Sequence, residues 1–106
     1  MLNNFGIGWR NLFEKRIEFI TEFLPEISVS SLERYNGMLR VKFTSTNEHI
    51  QYILDCVSYK IERDSVRTCE LCGRYGFRRN DEILSESLCL CTTCHVKYVD
   101  DILTKQ

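Results

Sequence analysis

The chain has 106 residues, of which 43% are hydrophobic and 27% are charged, and its formal net charge is −1. This length and composition predict one folded domain and exclude a disordered or low-complexity chain. The near-neutral charge argues against a sequence-independent DNA- or RNA-binding protein, because such proteins carry a clear basic excess. The first residues show no signal-peptide pattern and no apolar run reaches the length of a membrane span, so the six cysteines are expected to stay reduced in the cytoplasm.

Residues 9–24 are predicted to form an amphipathic helix. Apolar residues recur at intervals of three and four, as on one helix face: Trp9, Leu12, Phe13, Ile17, Ile20, Phe23 and Leu24. Gly6 and Gly8 are expected to form a flexible lead-in, and Pro25 is expected to end the helix. The aromatic residues of this face are expected in the hydrophobic core.

Residues 26–44 are predicted to form a β-hairpin around Asn36-Gly37. This dipeptide favours a type I′ turn, which needs positive φ at both central residues. Three apolar residues then alternate with polar ones and are expected on a buried face: Leu39, Val41 and Phe43. Before the turn the alternation breaks at Ser30-Ser31, which indicates a β-bulge. The charged residues expected on the outward faces are Glu33, Arg34, Arg40 and Lys42.

Residues 46–66 are predicted to form a second helix that begins with a Ser45/Glu48 capping box. Five apolar residues share one face: Ile50, Ile53, Leu54, Val57 and Ile61. Cys56 lies near the edge of that face and is expected to act as a small hydrophobic residue. His49, in the first turn, is expected to be an ordinary surface residue.

Residues 67–94 contain two Cys-x-x-Cys pairs at a spacing typical of a four-cysteine zinc site, with the ligands Cys69, Cys72, Cys91 and Cys94. Four thiolates in a tetrahedron suit Zn²⁺ better than other common cytosolic metals. Gly73 is expected to adopt positive φ beside the first pair. Cys89 is a competing ligand, but only Cys91 and Cys94 repeat the spacing of the first pair.

Between the two cysteine pairs, the sequence predicts a short strand over 74–79, a turn at Asn80-Asp81 and a returning strand over 83–90. Residues 95–104 are predicted to form a closing helix, with His95 outside the ligand set. The predicted fold class is therefore α+β, with a helix, a β-hairpin, a helix and then a four-cysteine zinc ribbon with a short C-terminal helix.

The single predicted domain, 1–106, has two parts: an α-β-β-α part over 1–66, and the ribbon with its closing helix over 67–106. Residues 9–61 have their own apolar faces. Loss of the metal is therefore expected to melt the ribbon while the first part stays largely folded.

The first strand of the ribbon and its neighbours form the candidate binding surface: Arg67, Arg74, Tyr75, Phe77, Arg78 and Arg79. Arginines beside exposed aromatic rings bind phosphates and stack on bases. The alternative is that the arginines balance the anionic metal–thiolate centre while the aromatic rings pack on the second helix. A shell of four thiolates leaves no position for a reactive water, and the chain has no catalytic motif, so no enzymatic activity is expected.

Four groups of residues recur together in a known pattern: Gly6-x-Gly8-Trp9, Tyr35-Asn36-Gly37-Met38-Leu39-Arg40, Cys69-x-x-Cys72-Gly73 with Gly76, and Leu90-Cys91-x-x-Cys94-His95. The set resembles small bacterial and phage-encoded zinc-ribbon proteins of unassigned function. It differs from their pattern at Tyr35-Asn36, where Phe-Gly is usual, and it lacks the tryptophan common before the second cysteine pair. The resemblance implies a metal site, one domain, and a mobile-element or accessory context.

The closed ligand set and the near-neutral charge favour a zinc-stabilised module that binds a protein partner, of the inhibitor, immunity or phage-accessory type. A nucleic-acid-binding ribbon that uses the arginines of residues 74–79 is the alternative. A third hypothesis is a thiol redox switch, in which oxidation expels the metal and unfolds the ribbon.

Overall fold

The computed structural model describes residues 2–23 and 27–105. After a short 3₁₀ turn at Leu2–Asn4, the elements in chain order are α1 (Ile7–Phe23), β1 (Ser28–Tyr35), β2 (Met38–Thr44), α2 (Glu48–Ser65), β3 (Phe77–Arg79), β4 (Leu88–Leu90) and α3 (Thr92–Thr104). The α+β class is as predicted, with four cysteines clustered near the C-terminus. Within the described ranges, no helix combines the length and the apolar character that crossing a membrane requires.

Helix α1 begins at Ile7, two residues earlier than predicted, so Gly8 lies inside the helix. Trp9, Phe13 and Ile20 are buried, as their helical spacing indicates. The positions of Leu24 and Pro25 and the side chain of Phe23 lie outside the described part of the chain, and with them the predicted helix end.

The β1–β2 hairpin turns at Asn36-Gly37, with φ values of 50° and 75° that confirm the type I′ turn. The register shifts between Val29 and Ser31, which confirms the bulge. The predicted outward position of Arg34 is wrong. In the register Arg34 lies opposite the buried Leu39, and cross-strand partners share a face. Its neighbour Glu33 takes the exposed face instead, because adjacent residues of a strand point to opposite sides.

Helix α2 is capped by Asn47, so the predicted Ser45/Glu48 capping box is wrong. The Asn47 side chain accepts hydrogen bonds from the backbone N–H groups of His49 (2.9 Å) and Ile50 (3.3 Å). Of the predicted apolar face, Leu54 and Ile61 are buried, whereas Ile53 is 48% exposed. Cys56 is exposed, not part of the core. The buried face of α2 is narrower than predicted, and Ile53 and Cys56 lie on its solvent side.

Two hydrophobic clusters form the core. The first joins α1, β2 and α2: Trp9, Phe13, Ile20, Leu39, Val41, Phe43, Leu54, Ile61 and Cys89. The second surrounds the cysteine pairs: Cys69, Leu84, Leu88, Leu90 and Cys91. Strand β4 contributes to both clusters, because Cys89 points to the opposite face from Leu88 and Leu90.

Strands β3 and β4 pair antiparallel, from Phe77 opposite Leu90 to Arg79 opposite Leu88. Both are shorter than the predicted 74–79 and 83–90, and residues 82–86 form turns and bends in place of the predicted start of the second strand. Helix α3 begins at Thr92, three residues earlier than predicted, so Cys94 lies in its first turn.

Candidate metal centre

The structure brings the four predicted ligands together. The Sγ atoms of Cys69, Cys72, Cys91 and Cys94 all lie within 4.8 Å of one another. A Zn–S bond of about 2.3 Å in a regular tetrahedron places the sulfurs about 3.8 Å apart. The Sγ atoms of Cys72 and Cys91 are 3.7 Å apart. The number, type and spacing of these donors therefore fit a tetrahedral thiolate-bound metal ion.

The first cysteine pair is shaped by a tight backbone turn. Gly73 has a φ of 87°, as predicted, and its N–H donates to the carbonyl of Cys69 at 2.8 Å. The Cys69 N–H in turn donates to the carbonyl of Arg74 at 2.7 Å. The backbone N–H of Arg74 lies near the Cys72 sulfur and acts to lower the pKa of that thiol. The two backbone bonds close the turn that carries Cys69 and Cys72, whose sulfurs both belong to the cluster.

The second pair forms the start of α3. Cys91 is the N-cap residue, and its sulfur accepts a hydrogen bond from the Cys94 N–H at 3.4 Å. A helix N-terminus stabilises negative charge, as does a backbone donor. The Cys94 N–H bond lowers the pKa of Cys91 to about 7. Cys91 therefore becomes a thiolate more readily than an ordinary cysteine does.

The neighbouring thiols resist ionisation in the metal-free cluster. Burial, followed by the other three sulfurs, raises the pKa of Cys94 to about 12. The Arg74 N–H bond lowers the pKa of Cys72, but desolvation and the nearby Cys69 and Cys91 thiols outweigh it and the net shift is upward. A metal ion that binds here must displace these protons.

Cys89 and His95 stand outside the four-sulfur cluster. Cys89 faces the first core cluster, where burial and then the Glu70 and Cys69 charges raise its pKa to about 12. His95 Nε2 pairs with the carboxylate of Asp81. This pair ties the loop after β3 to the first turn of α3.

Helix α1 packs directly on the first cysteine pair through two glycines. A Cβ atom at Gly6 would lie 2.3 Å from the carbonyl oxygen of Glu70, and one at Gly8 would lie 2.0 Å from that of Cys69. The N–H groups of Gly8 (3.0 Å) and Trp9 (3.4 Å) donate to the Glu70 carbonyl. The predicted flexible lead-in is therefore wrong: these glycines permit a close backbone contact.

Trp9 connects the same contact to the end of α2. Its indole Nε1–H donates to the carbonyls of Ser65 (3.2 Å) and Thr68 (2.9 Å), just before Cys69. Ser65 is fully buried, and its hydroxyl accepts from the Leu39 N–H at 2.9 Å. One network thus links α1, β2, α2 and the first cysteine pair.

A buried ion pair joins the hairpin to the first cysteine pair. The Arg34 guanidinium donates through Nε and Nη2 to the two carboxylate oxygens of Glu70, whose side chain is 3% exposed. Arg34 also lies 5.5 Å from the Phe5 ring centroid and 5.6 Å from that of Trp9. Burial raises the pKa of Glu70, and the Arg34 charge partly opposes that shift.

The sequence pattern did not predict the ion pair between Arg34 and Glu70, although the sequence contains one signal for it. Two adjacent charged residues, Glu33 and Arg34, cannot both face outward from an alternating strand, so one of them had to point towards the core.

The six residues of the candidate binding surface do not form one patch. Tyr75, Phe77 and Arg79 form a continuous row, which we call the aromatic row. The Tyr75 and Phe77 rings meet edge to face at 5.1 Å, and the Arg79 guanidinium lies 5.3 Å from the Phe77 centroid. Arg78 points the other way, towards the turn at Gly37. The rings do not pack on α2: Tyr75 is 65% and Phe77 50% exposed.

Comparison with known proteins gives no family assignment. No family model matches the chain, and neither curated proteins nor solved structures show a significant match to it.

Proposed function

We propose that the protein is a non-enzymatic, zinc-stabilised module that acts in the cytoplasm by binding a protein partner through the aromatic row. The observation that carries the proposal is the exposure of two adjoining aromatic rings, Tyr75 and Phe77, on the segment between the two cysteine pairs. The resemblance to phage and bacterial zinc-ribbon proteins extends the proposal to an accessory, inhibitor or immunity role.

The metal's proposed part is to hold the aromatic row in place. Cys72 and Cys91, which lie on either side of β3–β4 in the chain, have sulfurs 3.7 Å apart. Zinc is the favoured ion because four cysteine sulfurs form a soft, tetrahedral donor set. Four protein ligands also fill the coordination shell, which supports a structural role over a catalytic one.

The energetic case for a partner rests on the exposed rings. An aromatic side chain covers about 150–250 Å², and burial of apolar surface contributes about 25 cal/mol per Å². Covering the exposed part of Tyr75 alone therefore offers about 2–4 kcal/mol. Aromatic and arginine side chains are the residue types that dominate protein–protein binding energy.

The arrangement favours protein over phosphate as the ligand of this row. The Nε–H of Arg79 donates to the Leu90 carbonyl at 3.2 Å, and its guanidinium covers Phe77. Arg78 faces away from the row. The row therefore presents aromatic surface with one partly engaged cation.

The test compares two double variants in a pull-down from nuclease-treated host-cell lysate. Tyr75→Ser/Phe77→Ser removes the row, and Tyr52→Ser/Tyr59→Ser removes two exposed tyrosines of α2 as a matched control. Metal content by mass spectrometry and the melting temperature establish that both variants remain folded. We expect one zinc ion per chain and a discrete protein partner that only the first variant loses. A partner retained by that variant, or recovered only without nuclease, would contradict the proposal.

A second candidate, nucleic-acid binding, is favoured by Arg67, Arg74 and Arg78. All three are exposed, and within 2–23 and 27–105 none of them forms an ion pair. If they contact phosphates, replacing each by alanine lowers the slope of log affinity against log salt by about one. An unchanged slope in the triple variant would exclude this function.

A further inference from the structure

A groove between α1 and α2 lies away from the metal centre and the aromatic row. The described residues that line it are Leu12, Lys15, Arg16, Val57 and Lys60, and its volume is about 520 Å³. Leu12 and Val57 are only half-buried, although Phe13 and Leu54 beside them are buried in the core. The two helices thus leave apolar surface uncovered on their solvent side.

The rim of the groove is basic. Arg16 pairs with Asp64, but in the part of the chain that the structure describes Lys15 and Lys60 have no acidic partner. Both lysines are exposed. An apolar floor with unbalanced positive charge at its rim is complementary to a ligand that combines apolar and acidic groups.

We propose that this groove is a second docking site, which receives an acidic amphipathic helix of a partner protein. A helix suits the groove because the walls are themselves helices, and a third helix packs its side-chain ridges between theirs. Its apolar residues at positions i, i+3, i+4 and i+7 would cover Leu12 and Val57, while its carboxylates would meet Lys15 and Lys60. The groove is open to solvent, so the acyl chain of a small lipid would remain partly exposed there.

The proposal is tested with a displayed library of helix-forming peptides of about 18 residues, which is five helical turns. The bait is the full chain loaded with zinc. We expect enriched peptides to carry acidic residues on one face and Leu or Ile at helical spacing on the other. The best peptide, made synthetically and labelled, is then titrated by fluorescence anisotropy against wild-type protein and variants.

Charge reversal at the rim, Lys15→Glu/Lys60→Glu, is expected to weaken peptide binding by at least tenfold. Val57→Ser, on the floor, is expected to weaken it by several-fold. The control Lys42→Glu/Lys105→Glu makes the same charge change at exposed positions elsewhere and is expected to bind normally. Far-UV circular dichroism and zinc content check the fold of each variant.

Three results would overturn the proposal: no enriched peptide, enriched peptides without acidic excess, or binding that ignores charge reversal at the rim. A fourth result would also overturn it: a dimer of the protein alone, detected by light scattering after size exclusion and disrupted by Lys15→Glu/Lys60→Glu. That result would assign the groove to α3 of a second copy, which carries Asp100 and Asp101. Binding must also survive Tyr75→Ser/Phe77→Ser, so failure of this proposal and failure of the aromatic row are distinguishable.

Discussion

A glycine-to-alanine substitution tests the contact between α1 and the first cysteine pair, because two physical effects of the substitution change the free energy of unfolding in opposite directions. Replacing a glycine inside a helix by alanine normally stabilises the protein by about 0.5–1 kcal/mol. At Gly8, however, the new Cβ would lie 2.0 Å from the Cys69 carbonyl oxygen, 2.4 Å from the Gly73 nitrogen and 2.9 Å from the Gly73 Cα. All three are backbone atoms, so no side-chain rotation relieves the clash.

Gly8→Ala is therefore expected to destabilise the protein. Ordinary contact begins at about 3.4 Å, so α1 or the Cys69–Gly73 turn must move by more than about 1 Å. Overpacking of this kind costs about 1–3 kcal/mol, which exceeds the helical gain. Because the displaced backbone carries Cys69, part of the cost should appear as weaker metal binding, at about tenfold for each 1.4 kcal/mol.

The assay combines thermal unfolding with titration of Co²⁺, whose absorbance reports tetrahedral thiolate coordination. Asn11→Ala, at an exposed position of the same helix, is the control that gains helical propensity without a clash. We expect a lower melting temperature and weaker Co²⁺ binding for Gly8→Ala alone. A Gly8→Ala protein as stable as Asn11→Ala, with unchanged Co²⁺ affinity, would refute the reasoning.

Three further predictions concern the support of the centre. Removal of the metal with a chelator should change Trp9 fluorescence and helical circular dichroism in one transition, because the Trp9 indole donates a hydrogen bond to Thr68 beside the cysteine pair. A helical signal that is retained after metal removal would instead indicate that residues 1–66 fold independently. Arg34→Met should lower the free energy of unfolding by about 3–5 kcal/mol, because Glu70 is then buried without its ion-pair partner. The double variant Arg34→Met/Glu70→Leu should recover much of that loss. Urea unfolding measures both variants, and a double variant as unstable as Arg34→Met would contradict the prediction. Because the pKa values of Cys72 and Cys94 are raised, metal binding near pH 8 should release about two or more protons, and the metal affinity should fall as the pH falls. Titration calorimetry in two buffers counts the released protons, and a count near zero would contradict the prediction.

Features encoded by neighbouring residues were predictable from the sequence. The turn at Asn36-Gly37 depends on two residues that tolerate positive φ, and the bulge after Val29 follows from a break in alternation. The spacing of the Cys-x-x-Cys pairs also distinguished Cys91 from Cys89, because only Cys91 and Cys94 repeat the spacing of Cys69 and Cys72.

Features that depend on residues distant in the chain were not predictable. A glycine pattern near the start of the chain is compatible with flexibility or with close contact, and only the position of the Cys69 carbonyl decides between them. The inward position of Arg34 also depends on a distant residue. A charged side chain is buried only where an opposite charge pairs with it, and Glu70 lies 36 residues further along the chain. Arg78 differs from these cases, because alternation along the predicted strand already places it on the face opposite Phe77 and Arg79.

The capping of α1 by the Glu70 carbonyl imposes an order on folding during synthesis of the chain. The two N–H groups that it accepts, from Gly8 and Trp9, leave the ribosome 62 and 61 residues before the acceptor. At about 5–20 residues per second, α1 waits roughly 3–12 s for residue 70 to be made. Cys91 and Cys94 follow later still. Completion of the first helix therefore requires residue 70, closure of the last pair of ligands requires residue 94, and a nascent chain stalled before residue 70 has neither.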